Sequence, residues 1–269
     1  LLVKSASVVG SILPYHPHGD TSVYDAIVRM TQKKGVLNVP LVRGKGGFGD
    51  PFSRDPAAAM RYTELGYVDY FSELISTPQG VGMIYTEDME EQYMEHMPVS
   101  FPLILTNPSS GVSVGLSTNI LPFNVKELVA LIEEYLNTGK MTQIVVPDFA
   151  TGGMIVQNQK ELKRIMSTGK GTLKVRANTE IVGKEIRLLD LPYGVVHEKI
   201  DKELTELQEN GYLTDVTDWY DSSGRNKKTS IGESRFAYTI ECRSAGVAES
   251  VLLELYNKNS LQYYYHSNI

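Results

Sequence analysis

The chain has 269 residues, 42% of them hydrophobic and 22% charged, with a formal net charge of −6. That length buries a real core, in one large domain or two ordinary ones, and no apolar run approaches the roughly 20 residues of a membrane-spanning helix. The composition is that of a soluble globular protein, and the single Cys242 excludes an intrachain disulfide or a cysteine-rich zinc site, fits a reducing cytosol and reads as a small buried apolar residue.

The opening Leu1-Leu2-Val3-Lys4 lacks the basic region and apolar block of a signal peptide, and there is no initiator Met. The chain therefore reads as an excised piece of something longer. Its charge is unevenly spread: residues 1–62 hold eight Lys/Arg against four Asp/Glu, whereas residues 63–125 hold eight Asp/Glu and no Lys or Arg. An N-terminal surface that meets an anion would produce this asymmetry, and so would ordinary scatter of solvated charge.

In chain order, Asp20-Thr21-Ser22 supplies helix-start chemistry ahead of Val23, Ile27 and Met30, which predicts a helix of about three turns ended by Lys34-Gly35. Residues 37–42 are apolar enough for a strand, and 44–49 form a glycine-rich turn or loop. Asp55 as N-cap with Pro56 in the first helical position predicts a helix over 57–61. Residues 68–75 read as another helix and 87–95 as an acidic exposed stretch. Val112, Val114 and Leu116 alternate with small polar residues, as in a strand.

A domain boundary is expected near residue 120, giving domains 1–120 and 121–269. Beyond it, helices are predicted over 126–136, 160–166, 197–209 (stopped by Gly211) and 247–256, and strands over 173–177, 186–189 and 236–242. This is an α+β pattern. Residues 221–234, with Gly224, Arg225, Lys227 and Lys228, read as a polar, mobile loop.

Two motifs match in letters and fail in context. Gly44, Gly46 and Gly49 satisfy GxGxxG, but Asp50-Pro51 follows where a dinucleotide site needs a helix, so a tight turn allowing close backbone approach is the better reading. Gly111-Val112-Ser113-Val114-Gly115 satisfies GxSxG, with acids and His197 downstream in the right order for a serine hydrolase. The apolar alternation running through Ser113 to Leu116 does not leave a strand-turn-helix elbow there.

More specific is Tyr15-His16-Pro17-His18-Gly19-Asp20. Its imidazoles could reach a metal, could donate to a phosphate at the start of the following helix, or could simply pack in a turn. A third metal ligand with suitable spacing is not evident. Most informative is the run Ala57 through Glu64, where Arg61 stands directly before Tyr62. A phenol is a weak nucleophile, and a guanidinium beside it can offset charge on the phenolate and on a phosphoryl oxygen in the transition state. The chain has 16 tyrosines, so the neighbourhood must carry the claim.

That neighbourhood carries a resemblance. YHPHGD followed by TSVYD, then GKGGFG, AAAMRYTE, SSGVSVGLSTNI with Pro122 and Asn124 close behind, and LYNKNSLQ at 255–262, resembles in order and spacing the DNA breakage-reunion region of bacterial type IIA topoisomerases, the A subunit of gyrase or topoisomerase IV. Each motif alone is weak; the series is specific. It covers essentially the whole chain, most densely over 4–124.

The resemblance implies a winged-helix DNA-binding domain followed by an α/β tower domain. It implies that Tyr62 attacks a DNA phosphodiester and becomes linked to the 5′-phosphate, while Arg61 and His18 stabilise the scissile phosphate. The family's recognition helix matches residues 21–32, making Lys4, His16, Arg29 and Lys45 phosphate contacts. Ile120 matches the residue that wedges between base pairs, and Thr21 and Asp25 match the positions that anchor quinolone drugs. The partners implied are double-stranded DNA, a second A subunit, and a B-type subunit that binds ATP and holds most of the Mg²⁺ ligands, in a heterotetramer of two A and two B subunits in the cytoplasm. No membrane is implied, and this chain shows no candidate triad of metal ligands of its own.

The chain departs from the family text at residues 35–41 and 50–54, and Arg43 stands where an acid is frequent, adding to the basic surface. The family's first arginine-bearing helix, coiled coil and C-terminal gate are expected outside this stretch, so the fragment alone should cleave poorly and dimerise weakly. Gyrase and topoisomerase IV are not distinguished. A DNA-binding or structural paralogue that has lost cleavage is the alternative.

Overall fold

A computed structural model describes residues 1–32, 36–52, 55–75, 81–86, 88–221, 227–229, 232–234 and 238–269, with the backbone alone for 227–229 and 232–234. The chain divides into two compact units, Leu1–Pro108 and Ser109–Ile269.

The first unit begins with β1 (Val3–Lys4), α1 (Ser5–Ile12) and α2 (Asp20–Thr31), followed by β2 (Val42–Lys45), β3 (Glu64–Tyr67), the short α3 (Phe71–Leu74) and the hairpin β4 (Met83–Tyr85) and β5 (Gln92–Met94). Helix α2 starts where its sequence says it should: the Asp20 carboxylate accepts from the Thr21 amide at 2.8 Å, placing negative charge at the helix N-terminus. Its residues Val23, Tyr24 and Ile27 bury one face against Val9 of α1, Phe48 and Leu65. Each such apolar side chain contributes about 1.5–3 kcal/mol on burial. An eight-residue helix such as α1 is marginal by itself, and this core is what holds it.

The strands form a sheet of order β1-β3-β2, all antiparallel. Strand β2 begins where the predicted 37–42 strand ends. Pro40 has no N–H to give a ladder, and the Val39 N–H instead donates to Asn107 Oδ1 at 2.9 Å. The helix predicted over 57–61 is absent. Asp50 and Asp55 bridge, and the Ala58 N–H donates to Gly47 O at 2.8 Å, so loop contacts consume the groups a first helical turn would use. The residues end in a single turn, with the Tyr62 N–H donating to Ala59 O at 2.8 Å. Of the helix predicted over 68–75 only α3 forms, and the Lys34-Gly35 stop lies outside the described residues.

The second unit contains β6 (Ser109–Ser113), β7 (Leu116–Ile120), α4 (Val125–Thr138), β8 (Met154–Ile155), α5 (Gln159–Thr168), β9 (Lys170–Arg176), β10 (Thr179–Val182) and β11 (Glu185–Leu188). It continues with α6 (His197–Glu209), β12 (Val216–Asp221), β13 (Lys227–Thr229), β14 (Gly232–Ser234), β15 (Tyr238–Cys242), α7 (Ala248–Lys258) and β16 (Gln262–Asn268). The sheets are β6-β7-β16-β9-β8 and β10-β11-β15-β12, with β13 and β14 pairing separately. The mixed α and β composition is the expected one. All four predicted helices of this unit form close to their expected bounds. Asn124 and Asn158 cap α4 and α5 by accepting from Lys126 N–H at 2.9 Å and Glu161 N–H at 2.8 Å.

Residues 221–234, expected to be a loop, instead carry the paired strands β13 and β14; Gly224 and Arg225 lie outside the described residues. The division falls at 108/109 rather than near 120, because β7 joins the second unit's sheet through the pair Asn119 and Asn268. The alternation from Val112 to Leu116 is not one strand. The chain turns at Val114-Gly115, where Gly115 takes φ +75, and Ser113 pairs back on Leu116. A strand rather than a helix follows Ser113, so the hydrolase elbow is absent for a different reason from the expected one. No helix among the described residues is long and apolar enough to cross a membrane. Cys242 is buried as expected.

Candidate active site

Tyr62 is 64% exposed at the tip of the turn that enters β3. The Arg61 guanidinium carbon lies 4.6 Å from the centre of its ring, stacked in a cation–π contact. Beneath them, Thr63 is fully buried and its hydroxyl donates to Ser5 Oγ at 2.7 Å and meets Tyr24 Oη at 2.9 Å. Tyr24 Oη in turn donates to Ala58 O at 2.7 Å. The backbone is tied in the same place: the Ser5 N–H donates to Thr63 O at 3.0 Å and the Ala6 N–H to Met60 O at 3.3 Å. A floor of mutually hydrogen-bonded buried hydroxyls thus lies under the turn that carries the exposed phenol.

Sequence reasoning missed this floor. The available signal was a tyrosine at position 24 on the apolar face of α2, where a buried phenol requires a partner.

Glu64 follows Thr63 and sits between two cations. Lys4 Nζ lies 3.0 Å from Oε1, and Lys45 Nζ 3.9 Å from Oε2, because β1 and β2 both pair with β3 at this residue. The hydrogen bond from Lys4, followed by its charge, holds the Glu64 carboxyl below the usual carboxylate range. The predicted contacts Lys4 and Lys45 are therefore brought together two residues from Tyr62, but they share a carboxylate. Arg43 is likewise not a free cation, since its guanidinium donates to Asp69 at 2.9 Å.

A cleft of about 610 Å³ is lined by Thr21, Tyr24 and Asp25 of α2 and by Ala57, Met60 and Arg61 of the opposing segment. Thr21, Asp25 and Arg61, expected from separate motifs, share one cavity. His16 and His18 stand exposed in the turn between α1 and α2 with rings meeting edge to face at 4.2 Å. Their packing against each other fits the turn reading as well as any other. His16 also lines a smaller cleft of about 330 Å³ beside Ser22 and Ile27, and Arg29 is exposed on α2. Ile120 ends β7 half-buried, in the second unit. Among the described residues no three His, Cys, Asp or Glu side chains cluster to hold a metal. The glycines of the GxGxxG match build a tight turn: at Gly49, φ is +76 and a Cβ would lie 2.4 Å from Asp55 O.

An exposed tyrosine stacked by its neighbouring arginine thus stands on a buried hydroxyl floor, next to the cleft that Thr21, Asp25 and Arg61 line. The family described as the A subunit of DNA gyrase/topoisomerase IV matches residues 2–269, and the chain belongs to this family. It is 35% identical to the DNA gyrase A subunit of Buchnera aphidicola over 274 residues, covering 96% of this chain and 31% of that protein. It is 33% identical to the DNA gyrase A subunit of Escherichia coli K12 over 274 residues, with 96% and 30% covered. The corresponding protein of Streptomyces coelicolor is 31% identical over 283 residues, with 99% and 32% covered. The chain thus spans about a third of the length of these relatives.

Proposed function

We propose that this chain is the DNA-cleaving segment of a type IIA topoisomerase A subunit, with α1, α2 and the β1-β3-β2 sheet as a winged helix and the second unit as the tower. The observation that carries this is the exposed Tyr62 phenol beneath the Arg61 guanidinium on a buried hydroxyl floor. In the proposed step the phenol oxygen bonds to a DNA phosphorus as the bond from phosphorus to the 3′-oxygen breaks. The phenol proton departs and the 3′-oxygen gains one. A 5′-phosphotyrosyl link and a free 3′-hydroxyl result, and the phosphodiester count is unchanged, so reversal reseals the strand.

Arg61 offsets the negative charge that develops on the phenolate and the phosphoryl oxygens. His18, donating at the start of α2, adds a hydrogen bond to the same phosphate, with the helix N-terminus favouring the anion. Lys4, His16, Arg29 and Lys45 contact backbone phosphates, and Ile120 unstacks a base step to bend the duplex. Thr21 and Asp25, sharing the Arg61 cleft, form the quinolone subsite. We assign Mg²⁺ ligation mainly to the TOPRIM domain, and ATP binding to the ATPase, of a B-type partner subunit. The working unit is then two A and two B subunits on double-stranded DNA in the cytoplasm.

The test is Tyr62→Phe in the intact protein with its partner subunit, Mg²⁺ and supercoiled DNA. The wild type should give a denaturant-trapped covalent DNA complex and the variant none. A wild type without the complex, or a variant that still forms it, overturns the cleavage reading.

A further inference from the structure

Four of the chain's nine methionines, Met83, Met89, Met94 and Met97, fall within residues 83–97, and all four are exposed. Methionine ordinarily fills gaps in apolar cores, so this clustering has no packing reason. Two of the four face each other across the β4–β5 hairpin: Met83 is the register partner of Met94, and their exposures are 53% and 39%. The Glu95 N–H donates to Gly82 O at 2.9 Å and the Thr86 N–H to Glu91 O at 2.9 Å. The hydrogen-bonded rungs are therefore 82–95 and 86–91, which makes the Met83–Met94 rung one of the narrow, non-hydrogen-bonded kind. Side chains on such a rung leave the same face with Cβ atoms about 4.5–5.5 Å apart, and each thioether sulfur stands two bonds further out.

A third donor follows at once. His96 is two residues past Met94, no more than about 7 Å along even a fully extended chain, and its ring is exposed. Its Nε2 lies 4.0 Å from Glu95 Oε1, a carboxylate neighbour of the kind that orients a ligating imidazole. The surrounding charge favours a cation: residues 63–125 hold eight Asp/Glu and no Lys or Arg, and Glu90, Glu91 and Glu95 stand exposed on the hairpin and just beyond it.

We infer that Met83, Met94 and His96 form a binding site for a soft monovalent metal ion, Cu(I), held by two thioether sulfurs and one imidazole nitrogen. Thioethers select Cu(I), whereas Mg²⁺ and Ca²⁺ take oxygen ligands and Cu(II) favours nitrogen and oxygen in a square arrangement. The acids nearby attract the ion over a distance without ligating it. No three His, Cys, Asp or Glu side chains gather among the described residues, so the paired sulfurs are what make this hairpin a site. The inference is independent of any role for Tyr62.

The test uses the intact protein without oxygen, with Cu(I) supplied as the complex of a chromophoric chelator whose absorbance reports what the protein removes. Met83→Leu/Met94→Leu is compared with Met89→Leu, which alters an equally exposed thioether in the turn of the same hairpin; leucine conserves the volume, and both variants should keep the wild-type far-UV spectrum. The wild type should take up one equivalent. The double variant should bind at least about 100-fold more weakly, the upper end of what loss of even an outer-shell partner costs, and Met89→Leu should bind as the wild type does. In the wild type carrying ¹³C-methyl methionine, one equivalent of Cu(I) should shift the methyl signals of Met83 and Met94 together with the His96 ring signals, and leave Met89 in place. Wild-type affinity in the double variant overturns the inference, as does an equal loss in Met89→Leu, which would mark unspecific binding to exposed sulfur. The same shifts with Mg²⁺ or Zn²⁺ overturn it by making the carboxylates the ligands. A wild type that removes no Cu(I) from the chelator overturns it outright.

Discussion

Tyr24 Oη and Thr63 Oγ1 lie 2.9 Å apart inside the first unit, joining the middle of α2 to the residue after Tyr62 across 39 positions of sequence. The hydroxyl of Ser5 completes the chain at 2.7 Å, so three side chains from α1, α2 and the entry to β3 share one buried network. Removing the Thr63 hydroxyl takes away the donor to the buried Ser5 Oγ, while Tyr24 Oη keeps its bond to Ala58 O.

Thr63→Val is therefore expected to cost about 1–3 kcal/mol in denaturant unfolding, with Thr63→Ser recovering most of it. If the network positions Tyr62, the valine variant should also form the covalent DNA complex more slowly at temperatures where it remains folded. Serine should restore the rate. A valine variant that loses stability while keeping the wild-type cleavage rate would assign the network to folding alone.

If Arg61 acts as proposed, where the transition-state charge develops, Arg61→Gln should lower the rate of covalent-complex formation by roughly 10²–10³-fold, with DNA affinity changed far less. Arg61→Lys should recover only part of the rate, since an ammonium lacks the planar surface that stacks on Tyr62. Equal loss in binding and in cleavage would make Arg61 a simple phosphate contact.

Glu64 pairs with Lys4 and Lys45, and under the proposed function it competes with DNA for them. Its folded carboxyl is held below the ordinary glutamate range, so its stabilising contribution is present above the unfolded value and is lost as pH falls through the folded one. Carboxyl NMR titration should find Glu64 low in the wild type and moved upward in Lys4→Met. Glu64→Gln should release both lysines and tighten duplex binding, with a steeper salt dependence. Unchanged binding in the glutamine variant would exclude these lysines as phosphate contacts.

Gly49→Ala places a Cβ 2.4 Å from Asp55 O at φ +76, and should cost about 1–3 kcal/mol by unfolding. The loop it closes also fixes residues 55–58, so cleavage should weaken alongside stability. A neutral substitution would show that this loop adapts.

The sequence by itself determined the series of motifs around Tyr62, the start of α2 and its extent of about three turns, and the helices of the second unit. Those signals are local: an asparagine at 124 or 158, a glycine at 139 or 211, and apolar residues at helical spacing act within one or two turns. Tertiary structure alone decided the rest. Residues 55–61 carry helix-start chemistry yet do not form a helix, because Asp50 of the preceding loop donates to Asp55 O and Gly47 O accepts from the Ala58 N–H. Lys4 and Lys45 look like free cations until β1 and β2 pair with β3 and place both beside Glu64. The sheet β6-β7-β16-β9-β8 joins strands from opposite ends of the second unit, as in the Asn119–Asn268 pair, and exists only once β7, β16 and β9 are in register. Hydrogen-bond competition and strand register act across distances in sequence that no local pattern encodes.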